Sequence, residues 1–244
     1  MSERELCKDC TVVRKKEKRL GETQLTSEAI IKLFGFMLQA STQTLMIFFF
    51  TLLFGLPLGL LIAAGRMTKF KIIQWPVRFF LLIMRGTPLI LQLFLVYFGP
   101  SLVLGIRYKN ENARLIAAIV AFVLNYGAYF AEIYRSGLEG IPKGQKEAAV
   151  VLGFSRWQTF YKIILPQVIK RILPPMGSEF MTLIKDTALA MSIGVPEIYQ
   201  LATSKMSTTA SFIPLLMAGV FYLIMNAVVS RGFNLLEKKM DYYN

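Results

Sequence analysis

Long apolar segments constrain this chain more than any other feature of its sequence. A helix needs roughly 20 apolar residues to cross a hydrocarbon core about 30 Å thick, and the hydrophobic share of 55% is high for a soluble domain. We therefore predict an all-α, multi-pass protein of the cell membrane, plasma or inner. Its five transmembrane helices are expected at residues 44–64, 79–98, 115–134, 177–201 and 212–230.

The basic residues indicate how these helices are oriented. The formal net charge is +13, which in a soluble protein would suggest a nucleic-acid partner. Here the lysines and arginines gather between apolar segments, where such residues keep loops in the cytoplasm, and no nucleic-acid-binding motif accompanies them. We expect no nucleic-acid partner, contact with membrane lipid, and a cytoplasmic loop at residues 135–171.

The N-terminal region is predicted to have two parts. Residues 1–24 are polar and charge-rich and are expected to form a mobile tail. The membrane domain follows at 25–240, beginning with a short interfacial helix at 25–39. Five spans with a cytoplasmic C-terminus put the tail outside, although its basic residues favour the inside. We follow the short internal loops, where the charge rule is strongest.

The residue content excludes several classes of chemistry. The chain has no histidine, so it lacks the commonest general base and imidazole ligand. Cys7 and Cys10 form a lone CxxC pair, whereas a structural zinc site needs four ligands. The phosphate-binding pattern GxxxxGK[ST] is absent. We therefore expect a chain that is not an enzyme and binds no metal.

The central loop has the pattern of a helix–turn–helix. Good helix formers run from Glu147 to Leu152, Gly153 permits a sharp change of direction, and Ser155 can cap a second helix that begins near Arg156. Such a projection suits docking into a groove on another protein, with Glu147 available for a charged pair. The alternative is an ordinary amphipathic helix at the membrane surface.

Several passages resemble known transport proteins. The loop reads Glu147-Ala148-Ala149, three residues, Gly153, nine residues, then Ile163-x-Leu165-Pro166, which resembles the signature of ABC importer permeases. Further passages are similar to the polar amino acid family of those permeases: Arg85-Gly86-Thr87-Pro88-Leu89 with Gln92, Ala131-Glu132-Ile133, Ile141-Pro142-Lys143-Gly144-Gln145 and Lys185-Asp186-Thr187. The chain departs from the family pattern at Ser178, where Asn is common, and at Ala188, where Ser is common.

The resemblance implies a type I importer fold with a cytoplasmic coupling helix. It implies two permease subunits, identical or closely related, above a dimer of cytoplasmic ATPases, and an external binding protein that delivers a polar amino acid. ATP and Mg would bind to the ATPases, and this chain would bind no cofactor. The residues expected to couple to the ATPase are Glu147, Ala148, Ala149, Gly153 and Arg156.

The fourth predicted span carries the strongest candidates for substrate binding. Ionisable residues at membrane depth usually face a cavity or a partner, and Glu179 and Asp186 are seven residues apart, which places them on one helical face. They could bind an ammonium or guanidinium group. The alternative is that Asp186 forms a structural pair with Lys185 or Arg85.

Weaker candidates lie on neighbouring segments. Gln92, Asn125 and Thr187 could donate hydrogen bonds to a substrate, and Arg85 could bind its carboxylate, although such residues equally often join helices. Residues 85–88 are also expected to break or kink the second span. An ion-driven secondary transporter remains the alternative function, but it predicts inverted repeats that the sequence does not show.

Overall fold

The computed structural model describes residues 27–105 and 112–240, and these form helices with no strand among them. The predicted tail with Cys7 and Cys10 lies outside the described residues. We number nine α-helices in chain order: α1 Ser27–Met67, α2 Lys71–Gly86, α3 Leu89–Leu104, α4 Ala113–Glu139, α5 Lys143–Val151, α6 Arg156–Gln158, α7 Leu165–Asp186, α8 Ile198–Thr209 and α9 Ile213–Lys239. A π-helical turn, Thr159–Ile164, joins α6 to α7, and a 3-10 helix, Thr187–Ile193, continues α7.

Helix α4 forms the centre of the molecule and packs against α1, α2, α3 and α7. Its buried side includes the large rings of Phe122, Tyr126 and Phe130, which belong to the main core. The approach of α1 is close because a Cβ added at Gly59 would lie 2.8 Å from Phe130 Cβ and 3.2 Å from the Gly127 carbonyl oxygen. Small residues allow such backbone approach between membrane helices.

The N-terminal helix differs from the prediction. The short interfacial helix expected at 25–39 and the span expected at 44–64 are one continuous helix, α1. The polar residues between them do not end the helix, because the hydroxyls of Ser41 and Thr42 donate to the carbonyls of Leu38 and Gln39 three residues back. Two separate helices were therefore a wrong prediction.

The second predicted span is broken where a break was expected. Helices α2 and α3 are bent by 110° at Thr87 and Pro88. Thr87 has extended backbone angles of φ −119° and ψ 148°, because the proline ring disfavours helical geometry in the residue before it. The structure confirms a break at this position.

The fourth predicted span, 177–201, is not a single helix. Helix α7 ends at Asp186, the 3-10 helix ends at Ile193, and Gly194 takes a left-handed φ of 78° before α8 begins at Ile198. In residues 27–105 and 112–240, three helices are long and apolar enough to cross a membrane, or four if the bent pair is one span. The total of five spans therefore stays a prediction.

Candidate functional site

The bend between α2 and α3 is held by amide side chains from two helices. Asn125 Nδ2 donates to the Met84 carbonyl oxygen and to Gln92 Oε1, both at 3.0 Å. Gln92 Nε2 donates to the same carbonyl at 3.0 Å and to Thr87 Oγ1 at 2.9 Å. The bend leaves Met84 and its neighbours without their usual helical donors, and these amides replace them.

These contacts bear on the predicted roles of Gln92 and Asn125. The structure brings the two side chains together, and both are buried. Their amide hydrogens are directed at protein acceptors, so the geometry favours the alternative of hydrogen bonds between helices. We call residues 84–88 with these two amides the corner.

The second helix break carries the acidic residues. The hydroxyl of Tyr126 on α4 donates to Asp186 Oδ2 at 2.8 Å, at the point where α7 becomes a 3-10 helix. Glu179 lies two turns earlier on the same face of α7, and both carboxylates are partly buried. We call Glu179, Asp186 and Tyr126 the acidic face.

Within the described parts of the chain, neither Glu179 nor Asp186 forms an ion pair at contact distance, although Arg85 and Lys185 lie near enough to attract them. All ion pairs found there join arginines to Glu132 or Glu139, so the pairs of Asp186 with Lys185 or Arg85 considered above do not form. A carboxylate removed from bulk water costs free energy unless it is paired or hydrogen-bonded. The hydrogen bond from Tyr126 offsets part of this cost for Asp186. The negative charge that remains could be neutralised by a cationic ligand.

Arg85 faces a different carboxylate from the one considered in the sequence. Its Nη1 lies 3.8 Å from Glu132 Oε2, and its guanidinium lies 5.5 Å from the ring centroid of Tyr129. Arg135 and Arg66 also approach Glu132, at 2.6 and 3.7 Å. Glu132 is thus the centre of an arginine cluster. The spacing of three residues could have indicated its pair with Arg135 but not the approach of Arg66 and Arg85 from other helices.

Thr187 and Glu197 have structural partners. The buried hydroxyl of Thr187 donates to the Ile184 carbonyl at 2.7 Å, within its own helical run. Glu197 is fully buried and accepts from the N–H groups of Tyr199 and Gln200 and from the hydroxyl of Tyr222. It caps α8 and ties it to α9. The sequence interpretation missed Glu197, although a carboxylate directly before a helix is a capping signal.

The central loop has the local structure that its sequence predicts. Helix α5 ends at Val151, Gly153 takes a φ of 77°, and Ser155 begins α6. Ser155 Oγ accepts from the Gln158 N–H at 3.3 Å, and Gln158 Oε1 accepts from the Ser155 N–H at 2.9 Å. This is a complete capping box. We call residues 143–158 the knob.

The outer surface of the knob combines charged and apolar side chains. Glu147, Ala148 and Arg156 are exposed, whereas Ala149 is buried against the rest of the protein. Four apolar side chains are also exposed by 70–87%: Val150, Val151, Leu152 and Trp157. A patch of this kind on a loop between spans is typical of a protein interface.

The fold and these surfaces define a class of protein. Membrane helices broken around unpaired carboxylates are typical of solute transport proteins, and the knob offers a docking surface on one side. The chain belongs to the family described as binding-protein-dependent transport system inner membrane component, whose model matches residues 55–242. It is therefore a multi-pass protein of the inner membrane, a permease that works with an ATPase and a binding protein. The family carries no ATPase chemistry of its own.

Known proteins support this family assignment. The chain is 36% identical to the probable amino-acid ABC transporter permease protein YckA of Bacillus subtilis (strain 168), over 87% of this chain and 92% of that protein. It is 34% identical to the arginine transport system permease protein ArtQ of the same organism, over 88% and 97%. A crystal structure described as an amino acid ABC transporter with histidines matches with a TM-score of 0.78 and 29% identity, over 89% of this chain and 100% of that one.

Proposed function

We propose that this chain is the permease subunit of an ATP-driven importer that moves a polar amino acid with a cationic group into the cytoplasm. The observation that carries the proposal is the acidic face, where two partly buried carboxylates form no ion pair at contact distance among the described residues. An ammonium or guanidinium group supplies the missing charge. The relative ArtQ belongs to an arginine transport system, which is consistent with such a substrate.

The position of the acidic face supports alternating access through it. Substrate sites of transporters are often formed where membrane helices are discontinuous. Here α7 changes to a 3-10 helix at Asp186, and the corner between α2 and α3 contacts α4 beside Tyr126. A movement of α7 relative to α4 would change the Tyr126–Asp186 contact and with it the exposure of the carboxylates.

The knob is proposed to transmit the energy of ATP hydrolysis. Its exposed apolar side chains and Glu147 would dock into a groove on the partner ATPase, which binds ATP and Mg. The capping box and the Gly153 turn hold the two short helices in a fixed relation, so the knob can move as a rigid lever. Helix α6 continues through the π-helical turn into α7, which connects the lever to the acidic face.

The complete importer is proposed to contain more than this chain. Three or four candidate spans are few for enclosing a pathway. A second permease subunit, identical or closely related, would complete it, and an external binding protein would deliver the amino acid. An ion-driven secondary transporter is the alternative, and it gives no role to the knob. Uptake against a gradient by the purified chain alone in liposomes would support that alternative and contradict our proposal.

The substrate assignment is tested in nanodiscs that contain the chain with its ATPase and binding protein. Cationic, neutral and anionic amino acids are compared as stimulators of ATP hydrolysis. We expect the combined change Glu179→Gln and Asp186→Asn to reduce stimulation by the cationic amino acid by at least tenfold, because the charges that bind it are gone. Glu237→Gln, near the end of α9 and outside the acidic face, is the matched control. Unchanged stimulation in the double variant would refute the site.

A further inference from the structure

A cleft of 780 Å³ lies between the start of α5 and the first half of α7. One wall is formed by Ile141, Pro142 and Gln145, and the other by the π-helical turn and α7. Among the described residues that line it, three are basic and none is acidic: Lys162, Lys170 and Arg171. We call this space the basic cleft.

Among the described residues, no carboxylate forms an ion pair with Lys162 or Arg171. The Arg171 guanidinium donates to the Gly140 carbonyl oxygen, which fixes its position while leaving its charge, because a carbonyl is neutral. The ion pairs of residues 27–105 and 112–240 lie at Glu132 and Glu139 and include neither Lys162 nor Arg171. The cleft therefore attracts an anion.

The lining of the basic cleft is amphipathic. Next to the cations lie the amide side chains of Gln145 and Gln167, and the rest of the wall is apolar: Ile141, Pro142, Ile163, Pro166 and Pro174. Lys162 itself belongs to the π-helical turn, a type of helix irregularity that is frequent at functional sites. A fully solvated anion would gain little from the apolar wall, whereas a phosphodiester attached to a glycerol backbone would contact both parts.

The position of the cleft in the chain identifies the source of such a phosphodiester. The cleft extends from Ile141, two residues after α4 ends, to Pro174, three residues before the predicted start of the fourth span. With the loop at 135–171 in the cytoplasm, it opens at the inner boundary of the bilayer. Anionic lipids give this leaflet its negative surface potential, and basic pockets between helices on this side bind their headgroups.

We propose that the basic cleft binds the phosphate headgroup of an anionic membrane lipid. The basic cleft shares Gln145 with the knob, but none of the knob's four exposed apolar side chains lines it. The ATPase on the knob and the lipid in the cleft therefore need not compete. A headgroup in the cleft contacts Gln145 on α5 and the basic residues of α7 together. Bound lipid would thus hold the proposed lever against the helix that carries the acidic face.

The experiment uses the full chain copurified with its ATPase, in nanodiscs of phosphatidylcholine with and without phosphatidylglycerol. We expect phosphatidylglycerol to raise the melting temperature by about 3–5 °C, the shift for a ligand at about ten times its Kd. The double variant Lys162→Gln and Lys170→Gln should lose at least half of that shift. The control is Lys69→Gln with Lys71→Gln, which removes the same charge from two exposed lysines before and at the start of α2 and should retain the shift.

Three outcomes would overturn the proposal. The first is an equal shift in the cleft variant and the wild type, which would show that phosphatidylglycerol acts elsewhere. The second is a full shift from inorganic phosphate added to phosphatidylcholine nanodiscs, which would assign the cleft to a soluble anion. The third is loss of the ATPase from the cleft variant with the lysine control intact, which would assign the cleft to the ATPase.

Discussion

The knob and the acidic face are built in opposite ways. The turn of the knob depends on hydrogen bonds between residues at most five apart, such as the capping box of Ser155 and Gln158. The acidic face depends on contacts across the molecule, since Tyr126 and Asp186 are 60 residues apart. The first can keep its shape while it moves, whereas the second changes whenever α4 and α7 shift. This difference suits a rigid lever acting on a deformable site.

The largest effect is expected from the exposed surface of the knob. Trp157→Ala should weaken binding of the partner ATPase by about thirtyfold, the loss typical of a tryptophan at an interface centre. Trp75→Ala is the matched control, because both tryptophans are 72% exposed and Trp75 lies on α2. Glu147→Arg should act in the same direction by charge reversal. Binding to ATPase immobilised on a sensor measures the change, and equal losses in both tryptophan variants would contradict the docking assignment.

The next effect concerns how the acidic face is positioned. Tyr126→Phe removes one hydrogen bond to a carboxylate, worth about 1.5 kcal/mol, and should weaken cationic amino acid binding by about tenfold. Tyr134→Phe on the same helix is the control, since no hydrogen bond of its hydroxyl is seen among the described residues. Calorimetric titration with the cationic amino acid measures the affinity of each variant. Wild-type affinity in Tyr126→Phe would show that this contact does not orient Asp186.

A smaller effect is expected where α1 meets α4. Gly59→Ala places a Cβ 2.8 Å from Phe130 Cβ, and overpacking costs about 1–3 kcal/mol, offset by about 1 kcal/mol of helix propensity. We expect a net loss of about 1 kcal/mol of stability in detergent. Gly35→Ala, on the same helix with no atom within 4 Å, should be neutral or stabilising. Similar melting temperatures in the two variants would mean that the close approach is relaxed in solution.

The smallest effect tests whether the knob is locally determined. Ser155→Ala removes the cap of α6 and should cost about 1 kcal/mol, confined to the knob because its contacts are local. Hydrogen exchange should accelerate in residues 155–160 and stay unchanged around Asp186. Ser155→Asp retains an acceptor and should restore protection. Faster exchange throughout α7 would instead show that knob and acidic face fold as one unit.

The sequence predictions agree with the structure better for locally determined features than for features that depend on helix packing. Gly153, Ser155 and the break at Thr87–Pro88 were predictable because each depends on the preferences of adjacent residues. The continuity of α1 was missed because the hydroxyls of Ser41 and Thr42 donate hydrogen bonds within the helix instead of ending it. The end of α7 at Asp186 was not predicted. The residues that favour a helix end in this segment, Gly194 and Pro196, lie further along the chain than the observed break.

The candidate site shows this limit most clearly. Helical spacing alone placed Glu179 and Asp186 on one face, because two residues seven apart share a face in any regular helix. The partners of the polar residues could not be deduced: Asn125 with Met84, Tyr126 with Asp186, and Arg85 with Glu132. Each of these contacts joins different helices, and their pairing depends on how the helices pack.

The sequence by itself determined that this is a helical membrane protein with a capped helix–turn–helix loop, because apolar length, charge placement and capping act over a few residues. Only the tertiary structure decided that the Asp186 carboxylate contacts Tyr126 instead of a cation, and that Gln92 and Asn125 stabilise a bend. The reason is that the backbone carbonyls freed by a broken helix must find donors on other helices in a membrane. Which donors reach them is set by packing around α4.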